Sequence, residues 1–163
     1  MSPPWSSPSC VLAVLVLAGC GNGGDRAAPP PSHAVRRLAI LPVAAELPAS
    51  AALSTDDRGG VIASARGCVV AVHPVAPADA PDGDALAARL RTEHPGASAT
   101  TAPTELGWIV TATYPLPSGQ PVFDLEAHAS IDGAGYRCRV MAPSPQPTTC
   151  EERICRSLTG LPR

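Results

Sequence analysis

The chain has no lysine and a single asparagine, and all twelve of its basic residues are arginine. The residues avoided are those with A/T-rich codons, so the arginine bias reads as genomic rather than functional. Positive charge is not clustered. At a net charge of −2 the sequence offers no electrostatic footprint for nucleic acid, which demands a basic patch. Aromatics make up only 3% of residues. Beyond Trp5, a core must rest on Trp108, Tyr114, Phe123 and Tyr136 with Val, Leu and Ala around them, thin enough for covalent staples to matter. No apolar run approaches the ~20 residues needed to cross a bilayer core. There is no G-x-S-x-G nucleophile elbow, no phosphate loop and no dinucleotide fingerprint. The glycines of "GCGNGG" follow no strand, and "RAAPPPSH" lacks the P-x-x-P spacing of a docking ligand.

What is present begins with "MSPPWSSPSCVLAVLVLAGCGNGG". A polar head, a short apolar stretch from Val11 to Ala18 and small residues before a break have the layout of an export signal. The segment Leu17-Ala18-Gly19-Cys20 resembles the lipobox of bacterial lipoprotein precursors. The resemblance covers the first twenty-four residues and implies that 1–19 is a removable signal peptide. Cys20 then becomes the first mature residue, with diacylglycerol on its sulfur and an acyl chain, such as palmitate, on its amine. Each buried methylene contributes ~0.8 kcal/mol, so two or three chains anchor durably where one does not. The pattern departs from the family in one respect: no Arg or Lys precedes the apolar stretch, and a start codon further upstream would restore that charge. In enteric-type bacteria an Asp after the lipidated cysteine favours inner-membrane retention. Gly21 stands there instead, which implies the outer membrane, facing the periplasm.

Cys20 to about residue 60 reads as a Gly/Pro-rich tether, with one short strand expected at Leu38–Leu41. Pro42 and "PASAALSTDDRGG" argue against much regular structure there. The folded domain is expected over 61–163. Val61–His73 reads as a strand, and "DALAARLRT" as a short helix capped by Asp82 or Asp84 and closed by His94-Pro95-Gly96. "ASATTAPT" reads as a polar loop. Leu106–Tyr114 alternates Trp108, Val110, Ala112 and Tyr114 on one face, and Val122–Ile131 alternates more cleanly still. Asp132-Gly133 is the dipeptide suited to a type I′ hairpin turn. That turn fixes a register: Ala129 faces Tyr136, Ala127 faces Cys138, Leu125 faces Val140, Glu126 faces Arg139 and His128 faces Arg137. A final helix starts at a Thr148/Glu151 capping box and stops near Gly160, with Cys150, Ile154 and Leu158 as its apolar stripe. The order strand, helix, three-strand antiparallel meander, helix predicts a small α+β domain pinned by disulfides.

Of six cysteines, Cys10 leaves with the signal and Cys20 carries lipid. Cys68, Cys138, Cys150 and Cys155 remain, an even number in an oxidising compartment. Cys150 and Cys155 point about 140° apart on one helix and cannot bridge each other. Each is therefore expected to bond a strand cysteine, in either combination. The competing reading, a zinc site of all four, asks C-x₄-C on a helix to serve where short turn pairs are usual.

Asp124, Glu126 and His128 share one face of a strand. Two carboxylates and an imidazole there can bind a divalent metal or perform acid–base chemistry. The plainer reading is a solvated strand face, since Arg139 and Arg137 lie opposite Glu126 and His128. His73 reads as a rim residue. With no nucleophilic constellation, and the mature cysteines committed to lipid and disulfides, the expected role is a non-catalytic binding or envelope-assembly module, without cofactor. Its expected partners are the membrane, through Cys20, and an envelope protein. The alternative is a small extracytoplasmic enzyme using a metal at Asp124, Glu126 and His128.

Overall fold

Asp132 and Gly133 turn the chain as a type I′ hairpin demands, with φ of 50° and 82°. The flanking strands take the expected register, with Ala129 opposite Tyr136, Ala127 opposite Cys138, His128 opposite Arg137 and Glu126 opposite Arg139. Around this hairpin the computed structural model of the protein describes residues 33–76, 79, 82–141, 145 and 149–162. The signal peptide 1–19, Cys20 and Thr148 lie outside the described residues.

The elements run β1 His33–Arg37, β2 Val43–Pro48, β3 Ala52–Thr55, β4 Val61–Ala65, β5 Cys68–Val75, α1 Gly83–Glu93, β6 Ser98–Thr104, β7 Gly107–Pro115, β8 Pro121–Ile131, β9 Ala134–Val140, α2 Thr149–Arg156 and β10 Thr159–Gly160. They build a three-stranded sheet in the order β1-β2-β10 and a seven-stranded sheet in the order β3-β4-β5-β9-β8-β7-β6. Every pairing is antiparallel. The large sheet is thus two meanders, β3-β4-β5 and β6-β7-β8-β9, joined through α1 and meeting where β5 pairs β9.

The described residues are 53% strand and 17% helix, so the architecture is mostly β and not α+β. The physical reasons are local. Val61–His73 holds two strands rather than one, because Arg66-Gly67 makes a two-residue turn with Gly67 at φ 72° and Ala65 paired to Cys68. "SATTAPT" is the strand β6, not a loop: it lies at the sheet edge, where Pro103 lacks no partner that an inner strand would require. Leu38–Leu41, expected as a strand, is the turn between β1 and β2, with Ala39 at φ 44° and the Leu38 N–H bonded to Val43 O at 2.9 Å. Gly160 does not end a helix. The helix stops at Arg156, and Gly160 pairs with Val43 in β10.

The segment 33–60, read from sequence as tether, carries β1, β2 and β3. Leu38, Val43, Ala45 and Leu47 are wholly buried, so the folded unit reaches back at least to His33. These side chains join Val70, Val72, Leu125, Ala127 and Cys138 of the large sheet and Ile154, Cys155 and Leu158 around α2 in one core. The small sheet and α2 cover one face of the large sheet. A second cluster lies on the other face, where Leu86 and Ala87 of α1 pack on Ala99, Val110, Ala112, Tyr114 and Val122.

Each α2 cysteine does bond a strand cysteine. Cys68–Cys150 has its Cα atoms 5.9 Å apart, and Cys138–Cys155 has them 5.5 Å apart. Both lie within the usual disulfide span. The bridges tie α2 to β5 and β9, the two strands at which the meanders meet. All four described cysteines are consumed, which overturns the zinc reading.

Candidate functional site

Strand alternation sends Leu125, Ala127 and Ala129 into the main core and Asp124, Glu126 and His128 to the opposite face. Across that face two rows of neighbours run through the sheet. One passes from Ile62 through Ala71, Arg139, Glu126 and Val110 to Thr101. The next passes from His73 through Arg137, His128 and Trp108 to Pro103. Helix α1 packs on β6 and β7, toward one edge, so its cover does not extend over β5 and β9.

At the covered end, Asp82 caps α1, its carboxylate accepting from the Asp84 N–H at 3.3 Å. Gly83 opens the helix because an added Cβ would stand 2.9 Å from the Trp108 ring. Trp108 stacks in turn on His128, with centroids 4.5 Å apart and planes at 19°. His128 is 5% exposed and its Nε2 lies 3.0 Å from Glu126 Oε1. Burial pushes the Glu126 carboxyl up, but the His128 hydrogen bond and charge, with Arg137 and Arg139 at longer range, outweigh it and hold Glu126 below its ordinary value.

Asp124 lives in different surroundings. Burial raises its pKa, against the Leu125 N–H that bonds Oδ1 at 2.8 Å. Tyr114 is raised as well, by burial and then by the neighbouring Asp124, and His94 stacks on its ring at 4.0 Å. Asp124 thus keeps company with Tyr114 and His94, while Glu126 is committed to His128. Asp124 and His128 sit four residues apart on an extended strand, about 13 Å at Cα. No three His, Cys, Asp or Glu side chains among the described residues are grouped to hold one metal ion. The structure therefore does not gather Asp124, Glu126 and His128 into a ligand set.

The uncovered end holds a pair that sequence reasoning missed. His73 Nε2 lies 2.6 Å from Asp56 Oδ2. Asp56 Oδ1 accepts from the Gly60 N–H at 2.8 Å and the Arg58 N–H at 3.0 Å, closing the turn from β3 to β4. The Gly60 N–H chiefly holds the Asp56 carboxyl below its ordinary value, and His73 adds to this. A Cβ at Gly60 would come within 2.4 Å of the His73 ring, so the imidazole packs directly on bare backbone. The signal was present in "STDDRGG", an acid four residues before a glycine, but it fell in the stretch read as tether.

Two hollows flank Arg139. One, of about 230 Å³, lies between α1 and the sheet and is lined by Leu86, Leu90, His94, Asp124 and Glu126 as well as Arg139. The other, of about 340 Å³, is an open groove lined by Asp56, Arg58, His73, Arg137, Arg139 and Met141 among others. The cross-strand pairs Glu126–Arg139 and His128–Arg137 have the expected register, yet neither arginine forms an ion pair with a described acid within 4.0 Å. The arginines project into the hollows instead of closing on Glu126.

No protein-family model matches the chain, and a search of curated proteins found no match.

Proposed function

We propose that the protein is a lipid-anchored component of the bacterial cell envelope whose disulfide-pinned β domain binds a ligand or partner without chemical turnover. Leu17-Ala18-Gly19-Cys20 supports the anchor, with diacylglycerol on Cys20, and Gly21 supports the outer membrane facing the periplasm. Two disulfides suit an oxidising compartment. The observation that carries the binding role is the polar face of the large sheet: past the edge of α1 it opens into a groove bearing arginines that no described acid neutralises at contact. The metal-enzyme alternative has less support, because the strand spreads Asp124 and His128 too far apart to share an ion.

Mass spectrometry of the protein purified from native membranes tests the anchor. The expected N-terminal peptide begins at Cys20 and carries the mass of diacylglycerol plus an acyl chain. A chain that begins elsewhere, or carries an unmodified Cys20, overturns it. Pull-down of the lipidated protein from membranes then identifies any envelope partner, and Arg137→Glu is expected to abolish the capture.

A further inference from the structure

We infer that the groove between the β3–β4 turn and β9 is a binding site for an oxyanion, a carboxylate or phosphoryl group held by Arg137 and Arg139. This deepens the binding-module reading and rests on it.

Arg137 and Arg139 lie two residues apart on β9 and therefore on the same face, about 7 Å apart at Cα. Both line the groove. Among the described residues Arg139 makes one hydrogen bond, from Nε to the Val140 carbonyl at 3.5 Å. Arg137 Nε is buried and has no hydrogen-bond partner among the described residues. A buried guanidinium N–H without an acceptor is costly, more so than a neutral donor.

The acids nearby do not meet this demand. Asp56 is already engaged by two backbone N–H groups and by His73. Glu126 is engaged by His128 and Asp124 by the Leu125 N–H. The attraction of Glu126 to both arginines, and of Asp124 to Arg139, acts from beyond ion-pair distance. Asp57 is exposed at the rim and lies beyond ion-pair distance of Arg137 and Arg139. The groove is therefore rich in donors and short of acceptors. A ligand that supplies oxygens with negative charge corrects the imbalance, and planar guanidinium groups take such oxygens in paired, charge-assisted hydrogen bonds. The Asp56–His73 pair, seated on Gly60, lines the groove beside them, His73 being the cross-strand neighbour of Arg137.

The test uses the full chain in neutral-detergent micelles with ¹⁵N-labelled arginine. Inorganic phosphate and succinate are titrated separately against chloride at matched ionic strength, and the Arg137 Nε–H resonance, assigned by its loss in Arg137→Gln, is followed. A saturable shift with phosphate or succinate, absent with chloride, is expected. Arg139→Gln, at an exposed position that leaves folding intact, should weaken binding at least ~10-fold. Arg37→Gln, on the other sheet, should leave it unchanged. Saturation by phosphate alone assigns a phosphoryl ligand, and saturation by succinate, alone or with phosphate, assigns a carboxylate-accepting site. No saturable shift with either anion overturns the site, as does equal weakening by Arg37→Gln. Chemical alteration of a bound probe would sink the non-catalytic reading and leave the site standing. An unmodified Cys20 in the same sample would sink the anchor alone.

Discussion

The two faces of the seven-stranded sheet are built from the same strands, residue by residue in alternation, yet they meet different fates. The inner face is covered by the small sheet and α2 over β4, β5, β9 and β8, is apolar there and is cross-linked twice. Toward β6 it carries threonines, the exposed Thr100 and the half-buried Thr111. The outer face is covered by one short helix toward one edge and bears acids, imidazoles and arginines on the rest. The difference shows how a chain poor in aromatics divides its labour. Stability is concentrated where burial is complete, which leaves the opposite face free to hold polar groups that burial alone would disfavour.

If that division holds, the largest loss comes from the inner face. Removing Cys138–Cys155, whose ends are 17 positions apart in the chain, is expected to cost ~3 kcal/mol. Removing Cys68–Cys150, whose ends are 82 positions apart, should cost ~4 to 5 kcal/mol. Thermal unfolding of Cys→Ala pairs measures both, and reduction of the native protein should reproduce their combined effect. A smaller contrast compares like substitutions on the two faces. Leu125→Ala, at a side chain 1% exposed in the main core, should cost ~3 to 5 kcal/mol by denaturant titration. Leu86→Ala should fall nearer ~2 kcal/mol, because α1 can settle into the space left behind. Equal losses would break the comparison.

Gly60→Ala comes next, at ~1 to 3 kcal/mol, because its methyl group collides with the His73 ring and must part it from Asp56. The loss should appear in the thermal midpoint, together with a changed His73 ring signal by NMR. The smallest effect is one of sign. The Glu126 pKa lies below its unfolded value, so its stabilisation is present above the ordinary carboxylate range, ~4.3, and is lost as pH falls through the folded value. Asp124 is raised, so its contribution is full below its unfolded pKa, ~3.9, and is lost as pH rises through the folded value. At neutral pH, Glu126→Gln should lower the thermal midpoint and Asp124→Asn should raise it. Both differences should vanish in acid.

The parts of the fold legible in the sequence are those where one strong local rule acts. Asp132-Gly133 dictates a turn, and the turn dictates a register that places Cys138 inward and Arg137 outward. Helical geometry forbids a Cys150–Cys155 bridge and sends each cysteine to a strand. What was not legible depends on partners distant in the chain. β6 has the composition of a loop and becomes a strand because β7 lies beside it. β1 and β2 sit in a stretch rich in small residues and prolines, and their burial comes from a sheet and a helix much later in the sequence. The candidate site divides the same way. Glu126 and His128 could be placed on one face from their spacing, though the arginines opposite them were the expected partners. The junction of Asp56, His73 and Arg137 needs three separate strands and turns to meet.

The position of the two bridges has a mechanical consequence. A pull on the chain ahead of Cys68, resisted beyond α2, would travel from Cys68 across the sulfur–sulfur bond to Cys150 and on through α2. Residues 69–149, which include both arginines of the groove, would stay out of that load path. Tension applied ahead of Cys68 would peel β1 to β4 and stop there, taking away the Asp56–Gly60 turn while β9 and both arginines hold their places.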